Sequence, residues 1–276
     1  MNGDILVATD GSDIAATAAA QGLEIAERLQ ATVHAVSVVD RADADDESVH
    51  ERHQEFVERV ERDCRDRGLD VETSVRSGRP GRELLEYADE RDVGLIVMGT
   101  HGRTGLKRWL MGSVAIAVVR EAGCPVLTVN ATAAAPFEEI DDVLIATDGR
   151  PGVDTAVDQG LELATAYGSR VHSLYVVNDV HSHTSVVLEA FEELGERSTS
   201  KIAERAGERG LETERALERG IPHREIVAYA DERDVDLVVV GTESRSGLDR
   251  VVAGSVSQRV IGTAPVPVLS VRTLER

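Results

Sequence analysis

Along the N-terminal half of the chain, short apolar runs alternate with longer segments in which apolar positions return every third or fourth residue. "ILVAT" from Ile5 precedes "AATAAAQGLEIAERLQ" from Ala15; "TVHAVSVVD" from Thr32 precedes a charged segment from about Glu47 to Arg67; "DVETSVR" from Asp70 precedes "GRELLEYADERD" from Gly81. "GLIVMGT" from Gly94, a segment opening at Gly112 and "PVLTVN" from Pro125 complete the series. The compact β-branched runs predict strands, and the longer period predicts helices. In the charged helix, Phe56, Val57 and Val60 mark the stripe to be buried. Apolar strands separated by crossover helices predict a parallel sheet covered on both faces, a doubly wound α/β domain.

The series is then written a second time. "DILVATDGS" from Asp4 returns as "DVLIATDGR" from Asp142, and "YADERDVGLIVMGT" from Tyr87 returns as "YADERDVDLVVVGT" from Tyr229, identical at 11 of 14 positions. Asp10 recurs as Asp148 and Gly99 as Gly241, so the second copy is four residues longer between these points, around "NDVHSHTSVV". A period of about 140 residues is a whole domain, well beyond the ~20–50 residues of solenoid repeats. The aperiodic, Ala-rich "ATAAAPFEE" from Ala131 predicts the linker, with domain 1 over residues 1–132 and domain 2 over 139–276.

Composition narrows the partners. The chain has 276 residues, of which 42% are hydrophobic and only 3% aromatic, so its cores are aliphatic. Fifty acidic residues against 30 basic ones give a net charge of -20, which argues against nucleic acid or an anionic membrane as partner. Lysine occurs only at Lys107 and Lys201, and acidic residues crowd the outer helix faces, a balance suited to a salt-rich, halophilic cytoplasm. Cys64 and Cys124 are isolated and predict reduced thiols. The start "MNGDILVATDGS" lacks the basic and long apolar regions of a signal peptide, and no apolar run approaches the ~18 residues of a membrane span, which together predict a cytoplasmic protein.

Candidate chemistry lies where the strands end. In an open parallel sheet, ligands settle beyond the carboxyl ends of the strands, where the winding reverses. The first strand delivers Asp10 there, and the fourth delivers Gly99 and Gly102 before a helix opens at Gly112, Ser113 and Val114. Glycine permits close backbone approach, and a helix N-terminus carries about +0.5 charge, so the loop predicts a phosphate cradle to which Ser113 adds a hydroxyl. With base and ribose between the ends of the first two strands, the expected ligand would be a mononucleotide, with Asp10 as an acceptor for ribose hydroxyls or the base edge. A plain tight turn is the alternative. There is no GxxxxGK[ST] loop and no GxGxxG after the first strand, so neither a Walker-type NTPase nor a dinucleotide-binding dehydrogenase is supported. His181 and His183 lack a third ligand and predict no metal site; His101, inside the cradle, is expected to face water as a neutral side chain. No spacing supports a catalytic triad, paired carboxylates or a reactive Cys–His pair, so no catalytic residue is assigned.

The spacing G-x2-G-x9-G-S from Gly99 through Gly102 to Gly112 and Ser113, the "ATDGS" opening, the "SVVD" strand and the two-copy arrangement resemble a tandem universal stress protein of the UspA superfamily, over nearly the whole chain. The resemblance implies a Rossmann-like, adenine-nucleotide-binding fold with strand order 3-2-1-4-5 in each domain. It implies ATP, or AMP or ADP, as ligand, with Mg²⁺ on the phosphates. Ala8, Asp10 and Val38 would line the adenine and ribose pocket, Met98 and Gly99 border it, and Gly102, Gly112, Ser113 and Val114 meet ribose and phosphates. It further implies antiparallel pairing of last strands, here "PVLTVN" from Pro125 to Asn130 and "PVLSVR" from Pro267 to Arg272, as an internal pseudo-dimer or between chains of a homodimer. The implied role is stress-response regulation through an unidentified protein partner; a slow ATP hydrolase or nucleotidyl-transfer enzyme, and a scaffold that binds no nucleotide, are the alternatives. In the second copy, Ala146, Asp148, Val176, Val240, Gly241, Gly254, Ser255 and Val256 keep the pattern, but Ser244 replaces the second glycine, Arg150 replaces Ser12, and Glu243 adds a carboxylate. Nucleotide binding is therefore expected to be weaker there, with Arg245 or Arg250 as compensating phosphate partners, as Lys107 or Arg108 would be in the first copy.

Overall fold

Each apolar run of the first copy is a strand in the computed structural model, which describes residues 3–101, 111–133, 139–150, 152–178, 185–243 and 255–273. The strands are β1 (Ile5–Ala8), β2 (Val33–Asp40), β3 (Val71–Gly78), β4 (Leu95–Gly99) and β5 (Val126–Val129), and the helices between them are α1 (Asp13–Leu29), α2 (Glu47–Asp66), α3 (Pro80–Glu90) and α4 (Ser113–Glu121). All pairings are parallel, in the order β3-β2-β1-β4-β5, the order 3-2-1-4-5 expected of the family. β1 and β4 are apolar and shut off from solvent because helices cover both faces, whereas β3, at the edge, alternates partly exposed positions.

The second copy repeats the plan with β6 (Asp142–Thr147), α5 (Asp154–Tyr167), β7 (Arg170–Val177), α6 (Ser185–Gly207), β8 (Thr213–Arg219), α7 (Pro222–Glu232), β9 (Leu237–Glu243), α8 (Ser255–Thr263) and β10 (Val268–Thr273). Its parallel order is β10-β9-β6-β7-β8. The chain divides into two compact units, Met1–Glu138 and Glu139–Arg276.

Local chemistry sets the helix ends. Ser12 caps α1, its Oγ accepting from the N–H of Ala15 at 3.2 Å, with Asp13 in the first turn where the helix dipole favours a negative charge. α2 buries Val57, Val60 and Cys64, while Phe56 is half-buried. Cys64 and Cys124 are unpaired, and burial pushes both thiols up to about 11, which keeps them protonated at neutral pH.

At the amino ends of the strands, a buried histidine holds each unit together. His34 in β2 meets the Asp4 carboxylate through Nε2 at 3.0 Å and the Tyr87 hydroxyl through Nδ1 at 2.9 Å, tying β2 to the lead-in of β1 and to α3. The carboxylate accepts, so Nε2 carries the proton and Nδ1 accepts from the tyrosine. The second unit repeats this clasp with His172, Asp142 at 2.7 Å and Tyr229 at 3.0 Å. Nothing in the periodicity of the sequence points to these clasps.

Candidate functional site

In the first unit the winding reverses between β1 and β4, so their carboxyl ends open a crevice at the rim of the sheet. Ala8 ends β1, Met98 is next to last in β4 and Val38 lies near the end of β2. Ala8 and Met98 are buried and Val38 is half-buried, giving three neighbouring strands an apolar rim. Just beyond, Asp10 accepts from the N–H of Ser12 at 3.1 Å through Oδ1, and Thr9 Oγ1 accepts from the N–H of Gly11 at 3.3 Å. Gly11 has φ +76°, and a Cβ there would lie 2.2 Å from the Phe56 ring, so this turn requires glycine both for its backbone and for its space. The turn fixes Asp10 at the rim, half-buried.

The glycine loop closes on a single carbonyl. Thr100 is buried, and its N–H donates to Val129 O at 2.8 Å; its own oxygen then accepts from the N–H of Gly112 at 2.7 Å. The chain thus leaves the sheet at Thr100 and returns beside it as the N-cap of α4. Gly112 is extended there, with φ -63° and ψ 153°, and among the described residues no side chain caps the helix. A Cβ on Gly112 would sit 3.0 Å from Thr100 O and crowd the helix mouth. Gly99 has a packing role as well, because a Cβ would come within 2.8 Å of Ile14 in the first turn of α1. The leading amides of α4, in the turn of Ser113 and Val114, are the orphan donors that every helix start presents. Gly102 and the cations Lys107 and Arg108 lie outside the described residues.

His101 departs from expectation. Its Nδ1 lies 3.0 Å from Thr100 Oγ1, while Nε2 is shut off from solvent and meets no hydrogen-bond partner among the described residues. Burial holds the ring below the usual imidazole range. The sequence predicts a solvated loop side chain, whereas in the structure Nε2 is covered.

Near the same rim, Ser37 and His53 form a pair that no motif signalled. Ser37 Oγ donates to Thr9 O at 2.6 Å and lies 2.8 Å from His53 Nδ1. The single hydroxyl proton is spent on the carbonyl, so the imidazole donates to Ser37 and does not activate it as a nucleophile.

The rim of the second unit is built differently. Asp148 accepts from the N–H of Arg150 at 3.1 Å, and Gly149 again has positive φ, +71°. Arg150 Nε, however, lies 3.5 Å from Asp148 Oδ2, so the carboxylate faces its own neighbour's cation. Asp154 opens α5 where Ala16 stands in α1, so the second helix starts three residues later than the first; Gly152 has φ +96° and Val153 supplies no side-chain cap. Tyr175 stands at the place of Ser37 and Gly195 at that of His53. A Cβ on Gly195 would meet Leu217 at 2.5 Å and Tyr175 at 2.7 Å, so a large and a small residue have exchanged places. Burial raises the Tyr175 hydroxyl, reinforced by the charge of Asp148 and opposed by Arg150. Ala146 and Val176, next to last in β6 and β7, are half-buried, Val240 in β9 is buried, and a Cβ on Gly241 would come 3.1 Å from Thr273. Ser255 opens α8 and Val256 beside it is exposed. Ser244, Arg245, Arg250, Gly254, His181 and His183 lie outside the described residues.

Among the described residues, no group of three His, Cys, Asp or Glu is placed to hold a metal ion, and no helix is long and apolar enough to cross a membrane. The model of the universal stress protein family matches residues 1–130 and 139–272. Universal stress protein Rv2005c of Mycobacterium tuberculosis is 30% identical over 213 residues, covering 75% of this chain and 70% of its own. Universal stress protein MJ0531 of Methanocaldococcus jannaschii is 38% identical over 137 residues, 46% of this chain and 81% of its own. The crystal structure of a universal stress protein from Archaeoglobus fulgidus covers 98% of both chains with a TM-score of 0.74 at 22% identity, a likeness of fold.

Proposed function

Because the chain belongs to the universal stress protein family through both of its halves, we propose that it is a cytoplasmic, adenine-nucleotide-binding regulatory protein that takes ATP in its first unit. The single observation that carries this is the mouth of α4: a helix start without a side-chain cap among the described residues, held beside the sheet by the Gly112–Thr100 hydrogen bond, where a Cβ would crowd Thr100 O at 3.0 Å. Such amides and the helix dipole favour an anion, and hydrogen bonds to a charged group contribute about 1.5–3 kcal/mol each. Asp10, fixed by its turn, supplies an acceptor for ribose hydroxyls, and Ala8, Val38 and Met98 supply the apolar surface an adenine needs. Gly99, with Met98, would border the adenine and ribose pocket. The same cradle would hold AMP or ADP with fewer phosphate contacts, and Mg²⁺ would arrive on the phosphates rather than on a protein cage.

Regulation supports this assignment better than turnover does. Asp10 is the carboxylate that the turn after β1 holds at the rim, and Ser37 has its proton directed at a carbonyl. Occupancy of the first unit would then be sensed by a protein partner. In the second unit, the Arg150–Asp148 pair and the late start of α5 work against the same ligand.

Calorimetry with ATP in high salt, on the intact chain, tests this. One site of high affinity is expected, lost in Gly112→Val, weakened about tenfold in Asp10→Ala and changed less than about twofold in Asp148→Ala, where tenfold corresponds to about 1.4 kcal/mol. Two equivalent sites, or full affinity in Gly112→Val, would overturn the assignment to the first unit. Mg²⁺-dependent phosphate release by the wild type, absent in Gly112→Val, would make it an ATP hydrolase.

A further inference from the structure

In the second unit, α6 opens with an apolar face turned to solvent. Among the described residues four large apolar side chains stand exposed, and three of them, Val186, Val187 and Phe191, lie in the first two turns of this helix, with Val186 at 73%. α6 starts at Ser185, four residues ahead of Glu189, which corresponds to Glu47 at the start of α2, so the four-residue excess of the second copy is one added turn of helix. The added turn carries Val186 and Val187, and beyond it Ala190, Phe191 and Leu194 replace Ser48, Val49 and Arg52 of the first copy. Leu194 sets one flank of this segment, since its Cγ would lie 2.9 Å from a Cβ on Gly149 in the turn after β6. The opposite flank is a groove of about 580 Å³ lined by Glu189, Glu192, Glu193, Glu196 and Arg197 of α6 and by Leu217 of β8. Helical spacing puts Val186 and Ala190, both exposed, between the two flanks.

The charges along the groove are matched unevenly. Arg219 pairs with Glu192 and Arg215 with Glu196, while Arg197 Nε donates to the Glu193 carbonyl at 3.3 Å. The Glu189 and Glu193 carboxylates meet no cation among the described residues, and like charges one turn apart on a helix destabilise it. Exposed apolar side chains rimmed by polar ones mark an interaction surface. We propose that the first two turns of α6 dock a basic amphipathic helix of another protein, whose apolar stripe covers Val186, Val187 and Phe191 and whose lysines or arginines meet Glu189 and Glu193. A second copy of this chain fits the face badly, because α6 packed against α6 brings the same carboxylates together between molecules that each carry a net charge of -20. Two helical turns span about 11 Å, a contact suited to a peptide segment rather than to the ~800 Å² per partner of a stable globular pair.

Fluorescence anisotropy of a labelled amphipathic peptide of leucine and lysine, titrated with the intact chain in the absence of nucleotide, tests this. Two comparison peptides carry glutamate at the lysine positions or serine at the leucine positions, and neither is expected to bind. For the leucine–lysine peptide, Val186→Ser combined with Val187→Ser, and separately Phe191→Ser, should each lose about tenfold in affinity. Glu189→Gln combined with Glu193→Gln should lose about fivefold and flatten the dependence on KCl. Glu47→Gln combined with Glu51→Gln removes the same charge at the corresponding positions of the first unit and should change affinity less than about twofold. Equal losses in the two glutamine pairs, which would assign binding to the overall charge, overturn the proposal, as does full affinity in both apolar variants. So does a wild-type chain that binds the lysine peptide no more tightly than the glutamate one. A concentration-dependent dimer in sedimentation velocity, abolished by Phe191→Ser, would give the face to a second copy and overturn it as well. Every arm is read without nucleotide, so failure here leaves the assignment of ATP to the first unit untouched.

Discussion

Tyr229 shows what one side chain in the clasp does to the pH range of the fold. Burial, assisted by the charge of Glu214, pushes its hydroxyl up to about 12, and burial raises Tyr87 as well. A group that holds its proton more tightly when folded stabilises the native state fully below its unfolded pKa near 10 and loses that contribution as pH rises through about 12. Denaturant titrations from pH 9 to 12.5 are expected to show stability falling across that window. In Tyr229→Phe the fall should be shallower, but stability at pH 7 should be lower by about 1–3 kcal/mol, because His172 Nδ1 is left buried without its donor. Asp10, Gly99 and Gly112 were legible in the sequence because their roles are local: a turn, a strand end and a helix start within a few residues of each other. The clasp was not, since His34 and Tyr87 lie far apart in the chain and become partners only when β2 and α3 pack. The covered Nε2 of His101 is not legible in the sequence either, because a glycine-rich loop suggests solvent.

At the scale of elements, the two units form an experiment already carried out within one chain. Ser37 and His53 of β2 and α2 correspond to Tyr175 and Gly195 of β7 and α6, and Gly195 leaves the room that Tyr175 occupies. In the first unit, Ser37→Tyr alone overpacks the β2–α2 contact and should cost about 2–3 kcal/mol. Adding His53→Gly should recover at least about 1 kcal/mol, and urea unfolding of the two single variants and the double variant would measure this coupling. Additive losses would show that the exchange in the second unit is unrelated packing. Strands and helices were readable from period alone, as was their order once the duplication was seen. The late start of α5 was not readable: its corresponding segment still matches "ATDG", and what shortens the helix is Gly152 at φ +96° in the stretch where α1 is already helical.

The whole molecule carries a net charge of -20, and cations form surface pairs such as Arg67 with Glu24 at 3.0 Å, Arg91 with Glu72 at 2.6 Å and Lys201 with Asp154 at 2.8 Å. Exposed pairs of this kind contribute little individually, so the self-repulsion of the surplus carboxylates governs the response to salt. Raising KCl from 0.1 to 2 M shortens the Debye length from about 10 Å to below 3 Å. The melting temperature is expected to climb by several degrees over that range, and a flat or falling melting curve in calorimetry would contradict the charge argument. Charge balance was open to view in the sequence; the division of labour within each sheet was not. The histidine clasps grip the amino ends of the strands in matching geometry, while the carboxyl rims have diverged in cap, helix length and packing. Recognition can therefore be lost, altered or replaced in one half at no expense to the fold of that half, which makes the duplicated chain a place where a new specificity could arise beside an old one.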